Sequence, residues 1–191
     1  MALARALKNP SVYDAVQWVL GAGLINARLG RLMPELAPGA LVLDVGGGTG
    51  LHASLRPRGS RYLCLDPDPA KLGGFLSRGP GLAVAGSGTD LPLGDASADL
   101  VVCKFVAHHL SDPQLDRLRA EVRRVLKPRG GFLFVEALAT ARPAGRLLWR
   151  FDAGSNPRQP EQLRAWLEAE FSVQRWERFA VVHEYVAALA R

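Results

Sequence analysis

A carboxylate and a dense set of glycines follow the first long apolar run of the chain. Residues 41–45 are apolar except for Asp44, and four of the next five residues are glycines, Gly46, Gly47, Gly48 and Gly50. The apolar run predicts a buried strand, and the glycines predict a turn whose backbone can approach a ligand closely. Helix-compatible sequence begins at Leu51. The segment therefore predicts a nucleotide-like ligand at the exposed N–H groups of a helix start.

A second carboxylate, Asp66, directly follows the next predicted strand, residues 61–65. It lies about 20 residues beyond the first glycine, where an acidic side chain binds ribose hydroxyls in nucleotide-binding sheets. A carboxylate suits a diol because it can accept both hydrogen bonds. Pro67 comes next, and Asp68 and Pro69 predict the start of a helix. The alternative interpretation is that Asp66 only caps the strand end.

Two adjacent histidines, His108 and His109, follow the fourth predicted strand, residues 100–106. Imidazole titrates near neutral pH, so either could act as general base for an acceptor that must lose a proton. The alternative is that they cap the following helix or pack beneath a ligand. Lys104 interrupts the same apolar strand, and we expect its ammonium to point into the crevice at the strand end. A lysine that only extends to solvent is the alternative.

These side chains need a scaffold that brings strand ends together. Predicted strands alternate with predicted helices over residues 41–136, which predicts a parallel sheet with a helix in the crossovers. Ligands of such sheets bind at the carboxyl ends of the strands. We therefore expect six polar side chains around one crevice: Asp44, Asp66, Lys104, His108, His109 and Glu136.

The remaining predicted elements lie after the glycine turn and at both ends of the chain. The apolar patterns predict a short helix over residues 51–55, a third strand over 82–85, a long helix over 114–127 and a fifth strand over 132–135. Residues 1–37 predict a helical segment, and 161–169 predict another helix. Two final strands, 171–176 and 181–188, are joined too tightly for a helical crossover and should pair antiparallel.

Composition limits the class of protein. The chain has 191 residues, 48% hydrophobic and 22% charged, which fits one globular domain. No apolar run is long enough to span a membrane, and the N-terminus does not resemble a secretory signal, so we expect a cytoplasmic location. The cysteines, Cys64 and Cys103, fall inside predicted strands and should be buried thiols rather than metal ligands. We expect no metal site.

The net charge is +6, with arginine more common than lysine. Such a charge can favour acidic partners, but no RNA-binding signature appears, so nucleic acid is not expected. Arg142, Arg146 and Arg150 are four residues apart and predict one basic helix face. A solvated surface is the preferred interpretation, with contact to a membrane surface as the alternative. The sequence leaves the oligomeric state open.

Three phrases of the sequence resemble the motifs of class I S-adenosylmethionine-dependent methyltransferases. Asp44-x-Gly46-x-Gly48-x-Gly50 resembles the first motif, residues 65–72 the second, and residues 115–136 the passage from a long helix through Leu-Lys-Pro-x-Gly-Gly into a strand. The resemblance implies a Rossmann-like, three-layer α/β fold with a mostly parallel seven-stranded sheet in the order 3-2-1-4-5-7-6, the last strand antiparallel. It also implies S-adenosylmethionine as cofactor.

The resemblance implies cofactor contacts from the glycine turn, Asp44, Asp66, Pro67 and Lys104. It also places an acidic adenine contact where this chain has Ser87. A serine hydroxyl can accept one hydrogen bond, and the backbone at Gly88 and Thr89 could contact the ring, so these three residues are the adenine candidates. The expected domain is single, with an N-terminal cap over 1–37, a cofactor-binding core over 38–136 and C-terminal helices and a hairpin over 137–191.

The acceptor is not identified by the sequence. The Asn/Asp-Pro-Pro-Tyr/Phe motif of relatives that often methylate amino groups of bases or glutamine is absent after the fourth strand. A small-molecule acceptor is therefore preferred, with Tyr13, Glu136, His183 and Tyr185 as weaker candidates for lining its pocket. Two alternatives remain: a nicotinamide-dependent oxidoreductase, disfavoured because Leu51 replaces the third glycine of G-x-G-x-x-G, and a non-catalytic cofactor-binding relative, suggested by Ser87.

Overall fold

A computed structural model describes residues 10–19, 21–79, 81–139, 149, 154 and 156–191. Five α-helices lie in the described ranges: α1 (Pro10–Val19), α2 (Ala22–Leu32), α3 (Pro69–Leu76), α4 (Asp112–Val125) and α5 (Pro160–Glu168). The strands are β1 (Leu41–Val45), β2 (Arg61–Asp66), β3 (Leu82–Ala85), β4 (Ala98–Lys104), β5 (Leu126–Ala137), β6 (Val173–Ala180) and β7 (Glu184–Ala190).

These strands form one sheet of seven strands in the order β3-β2-β1-β4-β5-β7-β6. The first five pair in parallel, while β7 pairs antiparallel with both β5 and β6. The predicted strand order and the antiparallel last strand are therefore confirmed. Because β1 lies beside β2 on one side and β4 on the other, the chain reverses direction across the sheet at β1, where open parallel sheets bind ligands.

Helices cover both faces of the sheet. Strand residues alternate between two apolar clusters, one packed on α4 and α5 and the other on α2 and α3. The central strands are buried on both faces, as expected for a parallel sheet between helical layers. Cys64 and Cys103 are buried free thiols on these strands, as predicted, and burial raises the pKa of each.

The boundary between the long helix and the fifth strand differs from the prediction. The helix ends at Val125, and the strand begins at Leu126 because Leu126 already pairs with Ala98 of β4. The register then shifts, so that Gly131 pairs with Leu100. A Cβ at Gly130 would lie 3.0 Å from the Lys127 carbonyl oxygen and 3.2 Å from that of Ala98. The Pro-x-Gly-Gly phrase therefore forms a bulge inside the strand instead of a turn before it.

Three other predicted boundaries also shift. The fourth strand ends at Lys104 instead of residue 106, because Phe105 adopts a left-handed backbone conformation with φ 58°. The turn of the final hairpin lies at residues 181–183, closed by a Val181 N–H to His183 carbonyl bond of 2.9 Å, later than predicted. The predicted helix after the glycine turn is a single 3-10 turn, Ala53–Leu55.

Several predictions fall outside the described residues. They concern the first nine residues, the Tyr13 side chain and the basic face of Arg142, Arg146 and Arg150. The division of the chain into cap, core and C-terminal part stays a prediction. None of the described helices has both the length and the apolar composition that crossing a membrane requires.

Candidate functional site

A cavity of about 330 Å³ opens at the carboxyl ends of β1, β2 and β4. One end is lined by the glycine turn and by the residues that follow β2 and β3, among them Asp66, Pro67, Ser87 and Gly88. The other end is lined where β4 leaves the sheet, by Lys104, Phe105, Val106, His109 and Leu110. The structure therefore brings most of the predicted site residues to one cavity. Five residues predicted around the crevice or in contact with the cofactor are not among its lining residues: Asp44, Gly50, Thr89, His108 and Glu136. The acceptor-pocket candidates His183 and Tyr185 do not line it either.

The glycine turn fits tightly between its neighbours. The N–H groups of Gly46 and Gly47 both donate to the Leu65 carbonyl, at 2.7 and 3.1 Å, so the turn is tied to the end of β2. Gly46 has φ +69°, and a Cβ there would lie 2.2 Å from a methyl carbon of Val106. A side chain would therefore collide with the wall of the cavity. Gly50 instead allows the Phe75 ring to pack closely against the turn, since a Cβ built at this position would lie 2.5 Å from a ring carbon.

Asp66 joins the second strand to the glycine turn. Its Oδ2 accepts a hydrogen bond from the Gly48 N–H at 3.0 Å, and its Oδ1 accepts one from the Asp68 N–H at 2.9 Å. Asp66 is buried, yet it lines the cavity. Each carboxylate oxygen has a second lone pair, so the fixed carboxylate can still accept two hydrogen bonds from a diol. Asp66 is therefore fixed in a geometry that suits ribose.

Asp44 lies behind the cavity, paired with Lys104. The Lys104 ammonium lies 2.9 and 3.1 Å from the two Asp44 oxygens, and both side chains are almost completely buried. The Tyr62 hydroxyl donates a short hydrogen bond to Asp44 as well. Burial raises the pKa of Tyr62, and the Asp44 carboxylate raises it further, so the phenol stays protonated. Lys104 lines the cavity as expected, and its third N–H can donate to a ligand.

The loop after β3 contains the adenine candidates. Ser87 and Gly88 line the cavity, and the Ser87 hydroxyl lies 2.8 Å from that of Thr89 and accepts from the Thr89 N–H at 3.2 Å. A Cβ at Gly88 would lie 2.9 Å from Val45 and 3.1 Å from Leu118. The loop therefore lies directly over the sheet, where only glycine fits beside β1.

The two adjacent histidines have different environments. His108 is buried, and its Nδ1 lies 2.6 Å from Oε1 of Glu136. Glu136 also accepts from the N–H groups of Ala107 and Ala137, both at 2.7 Å. His109 lies on the exposed side and lines the cavity, with its ring centroid 4.1 Å from that of His108. The geometry assigns His108 to anchoring this turn and leaves His109 facing the cavity.

Sequence reasoning missed the residue that shapes this turn. Arg158 is buried and donates to the carbonyls of Ala107 at 2.6 Å and Leu110 at 2.8 Å, and to Asp112 at 2.7 Å. It lies 46 or more residues away in sequence from all three partners. No local pattern indicated it, because a single arginine in a loop has no periodicity.

A second missed interaction ties the N-terminal helix to the glycine turn. The Thr49 hydroxyl donates to Asp14 Oδ1 at 2.6 Å, and Asp14 also pairs with Arg78, which follows α3. Asp14 and Thr49 are both buried. A buried carboxylate with two partners fixes α1 over the turn, so cavity geometry and helix docking are connected through one side chain.

Removing this hydroxyl should weaken the fold measurably. We expect Thr49→Val to lower the free energy of unfolding by about 1–2 kcal/mol, because a hydrogen bond to a buried carboxylate is lost while Arg78 still compensates the charge. Urea denaturation without cofactor measures it. Thr89→Val, which removes a more exposed hydroxyl, is the control, and equal losses in the two variants would contradict the interpretation.

Comparisons with known proteins agree with this geometry. A methyltransferase-domain family model matches residues 43–134. An uncharacterized methyltransferase of Mycobacterium sp. strain JLS is 40% identical over 107 residues, which cover 54% of this chain and 42% of the relative. One from Mycobacterium avium strain 104 is 39% identical over 100 residues, 50% of this chain and 39% of the relative. The matched part therefore spans about two fifths of these relatives.

Solved structures share the fold at low sequence identity. Geranyl diphosphate C-methyltransferase from Streptomyces coelicolor A3(2), in complex with Mg²⁺, geranyl diphosphate and S-adenosylhomocysteine, aligns with a TM-score of 0.73 at 12% identity, covering 88% of this chain and 78% of that one. The YcgJ protein from Bacillus subtilis aligns with a TM-score of 0.65 at 23% identity, covering 83% and 71%. The chain is therefore similar to methyltransferases over residues 43–134, and it shares the overall fold of these solved structures.

Proposed function

We propose that this chain transfers a methyl group from S-adenosylmethionine to a small-molecule acceptor that binds where β4 leaves the sheet. The proposal depends mainly on one observation: a fixed, buried carboxylate and a side-chain-free turn lie side by side at one end of the same cavity, joined by the hydrogen bond from the Gly48 N–H to Asp66. The matched domain supports the reaction class. The preference for a small molecule, and the expected cytoplasmic location, are predictions from the sequence.

In the proposed complex, Asp66 would accept hydrogen bonds from the ribose diol, and the loop at Ser87 and Gly88 would contact the adenine. Lys104 would donate its third N–H to the carboxylate of the methionine part. Asp44 would act through Lys104, because it holds the ammonium at the cavity wall. This differs from the direct cofactor contact that the sequence motif implied for Asp44.

S-adenosylmethionine supplies a methyl group on a sulfonium, which is already an activated electrophile. The protein therefore mainly has to orient the acceptor and exclude water. His109 lines the acceptor end of the cavity and could accept a proton there, whereas His108 is buried against Glu136 and would position the turn. Val106 and Leu110 give this end an apolar wall.

Methyl transfer can be followed directly with a radiolabelled donor. We expect purified protein, incubated with S-[methyl-³H]adenosylmethionine and a low-molecular-mass cell extract, to move label into the small-molecule fraction. Addition of S-adenosylhomocysteine should suppress the transfer by competition. Label that appears only in added protein or nucleic acid would contradict the proposed acceptor class.

Binding measurements separate the proposal from the two alternatives. Calorimetric titration should show S-adenosylhomocysteine binding and no NADH binding, since the methyltransferase match disfavours an oxidoreductase. Binding of S-adenosylhomocysteine without transfer to any fraction of a broad extract would instead favour a non-catalytic relative. Absence of cofactor binding would remove the proposal altogether.

A further inference from the structure

His52 is a cavity-lining residue that the sequence patterns did not single out. It lies two residues after Gly50 and lines the cavity beside Phe105, the residue that follows β4. Its ring contacts the Phe105 ring, with centroids 6.0 Å apart and planes inclined at 61°. An imidazole in this place can make a hydrogen bond to the reacting group of an acceptor.

A contact with α2 determines which ring nitrogen carries the proton. His52 Nδ1 makes a short hydrogen bond to the amide oxygen of Asn26. An amide oxygen only accepts, so in this orientation of the Asn26 amide, Nδ1 carries the proton, and Nε2 has a lone pair that can accept a hydrogen bond. Asn26 therefore selects the tautomer of the ring that faces the cavity.

The ring also stays uncharged at neutral pH. Burial lowers the pKa of His52 to about 3, and the Lys104 ammonium contributes to the decrease. Since this value lies well below 7, the imidazole keeps its acceptor nitrogen over the physiological range. Among the residues that the structure describes, the other titratable groups that line the cavity are Asp66, Asp68, Lys71, Lys104 and His109.

Phe105 gives the acceptor end a rigid aromatic wall. Its backbone is held at φ 58°, a rare conformation for a residue with a bulky side chain, and its N–H donates to the Val135 carbonyl at 2.9 Å. Behind it, the Tyr185 ring lies 5.7 Å away in an edge-to-face contact. Leu51, Val106 and Leu110 add apolar surface to the same cavity.

We propose that Nε2 of His52 accepts a hydrogen bond from a phenol-like hydroxyl, the nucleophile of an acceptor whose ring packs against Phe105. This inference rests on the proposed function, because it places the acceptor behind the methyl group of the bound cofactor. A protonated amine is a poorer match, since the Lys104 ammonium and the cofactor sulfonium would both repel it. A neutral hydroxyl avoids that repulsion.

The proposed step balances in atoms and charge. An oxygen lone pair forms the new O–CH₃ bond while the C–S bond breaks, and sulfur keeps the electron pair as a neutral thioether. The hydroxyl proton moves to Nε2 of His52, so the positive charge passes from sulfonium to imidazolium. A weakly basic imidazole is sufficient, because an oxygen that bonds to the methyl carbon becomes strongly acidic. The imidazolium then returns its proton to water.

The chain contains four histidines, so imidazole nitrogen NMR can resolve each ring. In ¹⁵N-histidine-labelled protein saturated with S-adenosylhomocysteine, we expect His52 to show a protonated Nδ1 and an unprotonated Nε2 throughout about pH 5–8. His52→Gln assigns the signals, and Asn26→Leu should release the tautomer preference. Protonation of Nε2 at neutral pH in the unmodified protein would overturn the proposal.

Three naphthalene probes then test the ligand class on the same sample. We expect 1-naphthol to move the His52 Nε2 signal and to bind about tenfold more tightly than 1-methoxynaphthalene, which lacks the donor hydrogen. The cation 1-naphthylmethylammonium should bind less tightly than either. The preference for naphthol should disappear in His52→Gln and persist in Asp90→Asn, which changes an exposed carboxylate outside the cavity.

The outcomes distinguish this inference from the proposed function. If S-adenosylhomocysteine saturates the protein but 1-naphthol leaves the His52 signal unchanged, the acceptor inference fails and the methyltransferase proposal stands. The same holds if the naphthol preference survives in His52→Gln. If S-adenosylhomocysteine itself fails to bind, the proposed function fails first.

Discussion

Lys104→Met is expected to lower the free energy of unfolding by about 3–5 kcal/mol, because it leaves the Asp44 carboxylate buried without its ammonium partner. Asp44 is 1% exposed, so water cannot replace the lost contact. The Tyr62 hydroxyl remains as a hydrogen-bond donor, but it carries no charge. Methionine keeps most of the length of the lysine stem, so lost packing adds little. Urea denaturation of the protein without cofactor measures the change.

Two variants control for this interpretation. Lys104→Met combined with Asp44→Asn should recover a large part of the loss, because no charge is then buried without a partner. Lys127→Met removes a lysine that pairs with Asp99 at 2.8 Å but is half exposed, and should cost no more than about 1 kcal/mol. A double variant as unstable as Lys104→Met alone would show that packing, not charge compensation, explains the loss.

Asp66→Asn is expected to weaken S-adenosylhomocysteine binding by about 10- to 100-fold, because a charged acceptor for two hydroxyl groups is replaced by a neutral amide. The amide can satisfy only one of the two backbone N–H groups, those of Gly48 and Asp68, that Asp66 now accepts from. Part of the effect should therefore arise from a loosened glycine turn. Isothermal titration calorimetry measures the affinity.

The ligand 5′-methylthioadenosine separates the contributions of the two ends of the cavity. It keeps the ribose but lacks the amino-acid part, so Asp66→Asn should weaken it about as much as S-adenosylhomocysteine. Lys104→Met combined with Asp44→Asn should weaken S-adenosylhomocysteine alone, because only that ligand has a carboxylate for Lys104. Asp90→Asn changes an exposed carboxylate outside the cavity and should leave both affinities unchanged. If the Asp66→Asn variant binds S-adenosylhomocysteine as tightly as the unmodified protein does, Asp66 is not part of the site.

The sheet could be predicted from the sequence because its information is local. The apolar runs at β1, β2 and β4 have the length and composition of buried strands. The glycines after Val45 mark a turn that has little room for side chains. Asp66 could be assigned to the cavity for a similar reason, since it ends a strand that must lie beside β1. Spacing along the chain was sufficient to place both.

The pairing between side chains could not be predicted, because it depends on positions far apart in sequence. Asp44 and Lys104 are 60 residues apart, and their ion pair forms only when β1 and β4 become neighbours. The Asp14–Thr49 bond similarly requires α1 to dock on the turn. The sequence pattern predicted that Lys104 lies at the carboxyl end of its strand, but it did not indicate which carboxylate the ammonium contacts.

His52 illustrates a different limit. A histidine after a glycine turn has no characteristic spacing, and its tautomer and low pKa depend on Asn26, on Lys104 and on burial. The strand boundary at Phe105 was wrong for a related reason, since apolar residues continue past the point where the backbone turns to φ 58°. In both cases the deciding information is the three-dimensional surroundings.

A crystal structure of the protein with S-adenosylhomocysteine would test the central claim most directly. We predict density for the ligand across the carboxyl ends of β1 and β2, with both ribose hydroxyls on Asp66, the adenine beside Ser87 and Gly88, and the carboxylate of the homocysteine part at Lys104. Density elsewhere on the protein, or a ribose turned away from Asp66, would contradict the account.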